Sequence, residues 1–146
     1  MTGFSDTWLI VPCYNEGTVI FDVLSHARET FPNIVAVNDG SHDNSAEQIR
    51  AAGAHLVNHP VNLGQGAAIQ TGVEYARAQP GAKYFVTFDA DGQHQVKDVA
   101  RMVERLRTEP LDIVVGTRFA GQDNSQVPWI KRVVLKTVVM LSPRTR

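Results

Sequence analysis

Residues 8–39, WLIVPCYNEGTVIFDVLSHARETFPNIVAVND, hold one complete unit of fold: an apolar run at 8–11, a polar loop, a helix-period segment at 18–30 and a second apolar run at 34–37. Two strand-length runs joined through a helix make a βαβ unit, and its strands lie parallel. The same alternation continues toward the C-terminus. Further apolar runs lie at 55–57, 84–88 and 112–115, with helix candidates at 45–52, 65–78 and 96–108. In the last of these, Val99, Met102, Val103 and Leu106 recur at spacings of three and four, the mark of one buried helical face. The reading predicts an α/β fold: a mostly parallel, Rossmann-like sheet flanked by helices, with 55–57 the weakest of its strands.

Composition agrees with one such unit. The 146 residues are 43% hydrophobic and 20% charged, enough for a single domain with a real core and too few for two. The formal net charge of −1 gives no general attraction to nucleic acid, which is excluded as a partner class. That average hides a split. Residues 1–126 carry all 15 acids and form the predicted body, whereas 127–146 carry Lys131, Arg132, Lys136, Arg144 and Arg146 and no acid. The polar stretch AGQDNSQ at 120–126 separates body from tail. The single cysteine, Cys13, and the lack of a basic n-region with an apolar h-region point to a reducing, cytoplasmic setting. No apolar run approaches the ~20 residues of a membrane span, so any contact with a bilayer is expected at its surface.

The segments after the strands carry the chemistry. They are PCYNE, NDGSHDNS, NHPVNLGQG, DADGQH and GTRF, and in an open parallel sheet they meet at one edge, where ligands bind. Asp89-Ala90-Asp91-Gly92-Gln93 is the sharpest of them. Two carboxylates this close repel unless a cation sits beside them, and a hard divalent ion takes one or two carboxylates plus phosphate oxygens. A bare D-x-D is more often a solvated acidic turn. A calcium loop is excluded, because its twelfth position falls on Ala100 where a bidentate Glu is needed.

Asp39, on the strand side of the Gly40-Ser41 turn, can accept hydrogen bonds from a base or ribose; the following Asp43, Asn44 and Ser45 suit a turn and helix cap. The first loop lacks G-x-G-x-x-G, which argues against a dinucleotide oxidoreductase. It offers instead Tyr14, Asn15 and Glu16, as nucleoside contacts or as caps for the helix near residue 18. Gly64 and Gly66 open a helix whose backbone N–H groups could meet an anion, or serve close helix-to-sheet packing. Arg118 at the fifth strand end could neutralise a phosphate, or form a surface ion pair. His55 and His59, at i and i+4, lack a third metal ligand and are expected to be solvated. A HAD-like phosphotransferase is disfavoured, because its acidic pair follows the first strand.

Taken in order, IVPCYNE, VNDGSHDNS, NHPVNLGQGAAIQTG, FDADGQHQ and VGTRF resemble the inverting family 2 glycosyltransferases of GT-A fold, and among them the dolichyl- or polyprenyl-phosphate sugar synthases such as dolichyl-phosphate mannosyltransferases. The resemblance covers roughly residues 8–119. It implies that Pro12, Tyr14, Asn15, Glu16, Asp39, Gly64, Asp89 and Ala90 bind a GDP- or UDP-sugar. It implies also that Asp89, Asp91 and Gln93 hold Mg²⁺ or Mn²⁺, and that Asp91 and Arg118 serve catalysis at the phosphates. Asn38 departs from the family, which often has Asp there.

The implied reaction passes a sugar, mannose or glucose, to a polyprenyl phosphate. Such an acceptor is already an anion and needs no general base, and after Arg118 the only acid is Asp123. Residues 127–141, VPWIKRVVLKTVVML, form a candidate amphipathic helix with Arg132 and Lys136 opposite Ile130, Val134, Val138 and Leu141. That helix suits the cytoplasmic surface of a membrane or docking on the body. Relatives carry a further acceptor-side segment. The resemblance therefore implies a C-terminally short member, either a fragment or a binding module completed by a membrane partner protein.

Overall fold

The computed structural model describes residues 3–90 and 96–112. Its elements alternate as the sequence predicts: β1 (Thr7–Cys13), α1 (Ile20–Arg28), β2 (Asn33–Asp39), α2 (Ser45–Ala51), β3 (His55–His59), α3 (Gln65–Arg77), β4 (Tyr84–Thr87) and α4 (Val96–Thr108). The strands form one sheet in the order β3-β2-β1-β4, and each pairing is parallel. The predicted weakest strand is present and longer than its apolar run, because Asn58 and His59 continue the pairing with Asn38 and Asp39. The predicted fifth strand lies outside the described residues beyond Asp112, as does the basic tail.

Alternation along the strands builds two cores. Leu9, Val11, Cys13, Ile34 and Ala36 face one side and pack with Ile20, Leu24 and Ala27 of α1, Ile49 of α2 and Val96, Val99 and Val103 of α4. Trp8, Ile10 and Val35 face the other side and pack with Ile69, Val73 and Ala76 of α3. A parallel sheet covered on both faces explains why the middle of β1, Trp8 to Val11, and of β2, Ile34 to Val37, is apolar without alternation. The path explains the faces. From β1 the chain steps to β2 and then β3 in one direction, and afterwards crosses back to β4 on the far side of β1. Right-handed crossovers place helices on opposite faces when the direction reverses. Hence α3 lies opposite α1 and α2.

Two contacts fix the helices to the sheet. Gly72 lets α3 lie close, since a Cβ there would come within 2.4 Å of Ile10 Cγ2 and 3.3 Å of Val37 Cγ2. At Gly64 and Gly66 a Cβ would meet nothing within 4 Å, so close packing is not what their small size serves. On the other face, Arg107 of α4 bonds Asp6 and the Gly3 carbonyl, and its guanidinium lies over the rings of Phe4 at 5.0 Å and Tyr84 at 5.6 Å. The reversal of strand order between β1 and β4 marks the crevice in which open α/β sheets bind ligands.

Candidate active site

The loops after β1 and β2 interlock at the carboxyl edge of the sheet. The Asn15 N–H donates to Ser41 Oγ at 2.9 Å, Glu16 N–H to Ser45 Oγ at 3.1 Å and Gly17 N–H to Asp43 Oδ2 at 2.9 Å. In return, His42 N–H donates to Asn15 Oδ1 at 2.9 Å. Asn15 has φ 53°, a left-handed conformation that its short polar side chain tolerates. Three consecutive amides therefore serve the second loop. The side chains of Asn15 and Glu16 do not cap α1: that helix begins at Ile20, its N-cap is Val19 without a side-chain bond, and Glu16 contributes its carbonyl to Val19 and Ile20 N–H.

Asp43 takes the Ser45 hydroxyl and the Ser45 N–H on Oδ1. Those bonds, the hydroxyl first, and that from Gly17 outweigh the slight desolvation of this exposed side chain and hold its carboxyl below the usual aspartate range. Cys13 lies buried beneath this network. Burial pushes its thiol up, against a smaller opposing bond to Ser45, which disfavours the thiolate form. Tyr14, 45% exposed, turns its ring outward from the same loop, while Pro12 and Glu16 are half-buried.

Asp39 ends β2 and is 3% exposed. Its Oδ1 accepts the Leu63 N–H at 2.9 Å and lies 2.8 Å from His59 Nδ1, and its Oδ2 accepts the Gly64 N–H at 3.0 Å. Burial works against ionisation, but these donors, the Leu63 amide foremost, win and hold the carboxyl below the usual range. The glycine-rich loop thus does meet an anion, and that anion belongs to the chain itself. Gly64, at φ 98°, is the N-cap of α3. The turn at Gly40 leaves the loop room: a Cβ there would lie 2.4 Å from Asn62 N. Asn38, where the family often has Asp, closes the same turn. It accepts the Ser41 N–H at 3.2 Å and donates to Asn58 Oδ1 at 3.0 Å.

His59 corrects the expectation of two solvated histidines. Its side chain is 9% exposed and its Nε2 lies 2.8 Å from Thr71 Oγ1. His55 is exposed at the sheet edge but bonded to Tyr75 Oη at 2.8 Å and packed on Trp8 at 5.1 Å. Neither the burial of His59 nor its pairing with Asp39 follows from i,i+4 spacing, because both depend on the register between β2 and β3. A buried acid at a strand end does, however, call for donors on the neighbouring strand.

Asp89 follows β4, half-buried between buried Phe88 and Ala90, and Gln65 Nε2 reaches its Oδ1 at 3.4 Å. No motif singles out Gln65, and its position at the start of α3 brings it across the crevice. Asp91, Gln93, Arg118, Arg132 and Lys136 lie outside the described residues. Among the described residues no group of three or more His, Cys, Asp or Glu is gathered to hold a metal ion.

Acid should loosen this edge. Asp39 and Asp43 both have folded values below their unfolded ones, so their stabilisation is complete above the usual aspartate value of about 4 and is lost as pH falls through the depressed values. Urea midpoints measured from pH 7 down to pH 2.5 should fall with a steeper slope in wild type than in an Asp39→Asn, Asp43→Asn double variant.

A parallel α/β sheet with a reversal between β1 and β4, and with loop carboxylates gathered at that edge, has the architecture of the GT-A fold. Glucosyl-3-phosphoglycerate synthase from Mycobacterium tuberculosis, solved in complex with uridine diphosphate, shares the fold: TM-score 0.63, 21% identity, 80% of this chain and 45% of that one covered. Residues 8–142 match glycosyl transferase family 2, and the chain belongs to that family. It is 35% identical over 126 residues to glycosyltransferase AglJ of Haloferax volcanii, covering 86% of this chain and 40% of that protein. It is 30% identical over 145 residues to the UDP-N-acetylglucosamine–dolichyl-phosphate N-acetylglucosaminyltransferase of Methanococcus voltae, covering 86% of this chain and 57% of that one. The chain spans about half the length of the curated relatives it matches.

Proposed function

We propose that the protein transfers a sugar, mannose or glucose, from a nucleoside diphosphate to a polyprenyl phosphate with inversion at the anomeric carbon. The observation that carries this reading is the meeting of the Tyr14 loop, Asp39 and Asp89 at the carboxyl ends of β1, β2 and β4. The names of relatives support the acceptor, since dolichyl-phosphate and undecaprenyl-phosphate sugar transferases are among them. They favour a uridine donor over a guanosine one.

In this reading Pro12, Tyr14, Asn15 and Glu16 frame the nucleoside, with the ring of Tyr14 free to stack on the base and Asp39 and Gly64 forming the floor. Asp89 is a hard oxygen donor following β4, with Gln65 Nε2 3.4 Å from its Oδ1, and D-x-D-x-Q is a donor set suited to Mg²⁺ or Mn²⁺. Asp89, Asp91 and Gln93 would hold that ion, with Ala90 beside the donor, and the ion when bound would offset charge on the departing diphosphate. The M. tuberculosis synthase was solved with Mg²⁺ and uridine diphosphate together.

A phosphate oxygen of the acceptor attacks the anomeric carbon, the bond to the diphosphate breaks, and the diphosphate leaves with the electron pair. No proton need be removed from the acceptor. Arg118 would stand near the phosphates. Arg132 and Lys136 of the tail, distinct from the 1–126 body, would meet anionic headgroups at the cytoplasmic face of a membrane. Among the described residues no helix is long and apolar enough to cross one.

A second reading has its own support: at about half the length of its relatives, the chain would be a nucleotide-sugar-binding module completed by a membrane partner protein. Calorimetry with UDP-glucose, UDP-N-acetylglucosamine and GDP-mannose, each with and without Mg²⁺ or Mn²⁺, followed by a transfer assay on a short polyprenyl phosphate, separates the two. Metal-dependent binding with transfer is the expected result. Binding without transfer selects the module, and no binding of any donor rejects both.

A further inference from the structure

We propose that His59, held by Thr71, is a positioning residue for the donor crevice: it orients Asp39 and, through Asp39, the loop that opens α3. The proposal rests on the transferase reading for its consequence, but the loop geometry that it starts from does not. His59 and Asp39 are register partners on adjacent parallel strands. Their side chains are 9% and 4% exposed, so a carboxylate has been taken out of water where only protein donors can compensate it. Two of its three donors are the Leu63 and Gly64 amides, and the third is His59 Nδ1.

A carboxylate only accepts, so the proton between the two is on Nδ1, and Nε2 lies 2.8 Å from Thr71 Oγ1. Both ring nitrogens are therefore engaged, and the ring is pinned between β2 and α3. The chain of contacts continues outward. Asp39 holds Leu63 and Gly64, the next residue is Gln65, and Gln65 reaches Asp89 at 3.4 Å. His59 thus stands at the inner end of a path leading to the acidic motif, without itself facing the crevice. Val61 is 59% and Leu63 55% exposed, and among the described residues the loop's hydrogen bonds to the sheet are the two amide bonds to Asp39.

The test uses the full chain with His59→Phe, which removes both ring bonds, His59→Asn, whose amide nitrogen can replace the Nδ1 donor, and Thr71→Val. Amide exchange at Leu63 and Gly64 is measured by NMR, uridine diphosphate affinity in Mg²⁺ by calorimetry, and folding by thermal melting. In His59→Phe, exchange at both amides should rise and nucleotide affinity fall, each by about tenfold, the usual scale for losing one hydrogen bond to a charged group. His59→Asn should recover most of both, and Thr71→Val should cost about threefold, the scale of a neutral bond.

Unchanged amide exchange in His59→Phe overturns the proposal, as does raised exchange with wild-type nucleotide affinity, or an Asn variant no better than Phe. If the phenylalanine variant does not fold, the Asn and Val variants carry the same comparison. A wild-type chain that binds no nucleotide rejects the transferase reading and the donor consequence with it, and the exchange data then judge the loop alone.

Discussion

Asp39→Ala in the full chain should lower unfolding free energy by about 3–5 kcal/mol, the range seen when one member of a buried charged network is removed. The substitution strands three donors at once, the Leu63 and Gly64 amides and His59 Nδ1, in a position 3% exposed where water cannot reach them freely. Each orphaned group costs about 1–3 kcal/mol, and relaxation of the exposed loop recovers part of the sum. Asp39→Asn keeps the volume and one acceptor but turns an NH₂ toward a donor, so its cost should fall between wild type and alanine. Urea unfolding at pH 7 measures both. The order wild type, Asn, Ala is the expected one, and an alanine variant within about 1 kcal/mol of wild type would show that the carboxylate is not the anchor of the loop. Loss of nucleotide affinity should accompany loss of stability, because in the proposed site the loop forms the floor beside Gly64.

Asp91→Ala should behave in the opposite way: about 100- to 1000-fold loss of transfer, the scale for removing one group that stabilises developing charge, with little change in the stability of the metal-free protein. Two neighbouring carboxylates repel when no cation is present, so deleting one relieves the chain instead of stranding a partner. The clearest physical readout is the metal itself. Mg²⁺ or Mn²⁺ with a nucleoside diphosphate should raise the melting temperature of wild type by mass action and leave that of Asp91→Ala unmoved. If donor binding and its metal dependence survive in the alanine variant, the assignment of Asp89, Asp91 and Gln93 to the metal fails. The two aspartates are thus expected to differ in kind. One is expected to hold the fold of a loop, the other, in the proposed function, to hold the metal.

Apolar runs of strand length bounded by turn residues make β1, β2 and β4 legible in the sequence from Trp8, Ile34 and Tyr84 onward, and the helices from the spacing of residues such as Ile20, Leu24 and Ala27. The short strand β3 is less visible, since only Leu56 and Val57 are apolar and the rest of its pairing is made by His and Asn. The clustering of PCYNE, NDGS, NLGQG and DAD at one edge follows from parallel strands alone. Family membership follows from the order of those motifs and is borne out over residues 8–142.

Sequence therefore sets the periodic part, the alternation of strands and helices, and the list of polar groups that the carboxyl edge holds. Packing in three dimensions settles which of those groups face outward and which face one another. Asp39 can be named as a site residue from its motif, but only the β2–β3 register sets His59 beside it, and only the crossover into α3 brings the Leu63 and Gly64 amides onto its carboxylate. Likewise, small size at Gly64, Gly66 and Gly72 looks alike in sequence, yet only Gly72 meets the sheet. The physical reason is the same in each case. Periodicity reports how a residue sits relative to its own strand or helix, whereas a hydrogen bond or a steric contact depends on the distance to a second element, and that distance is set by packing the whole sheet.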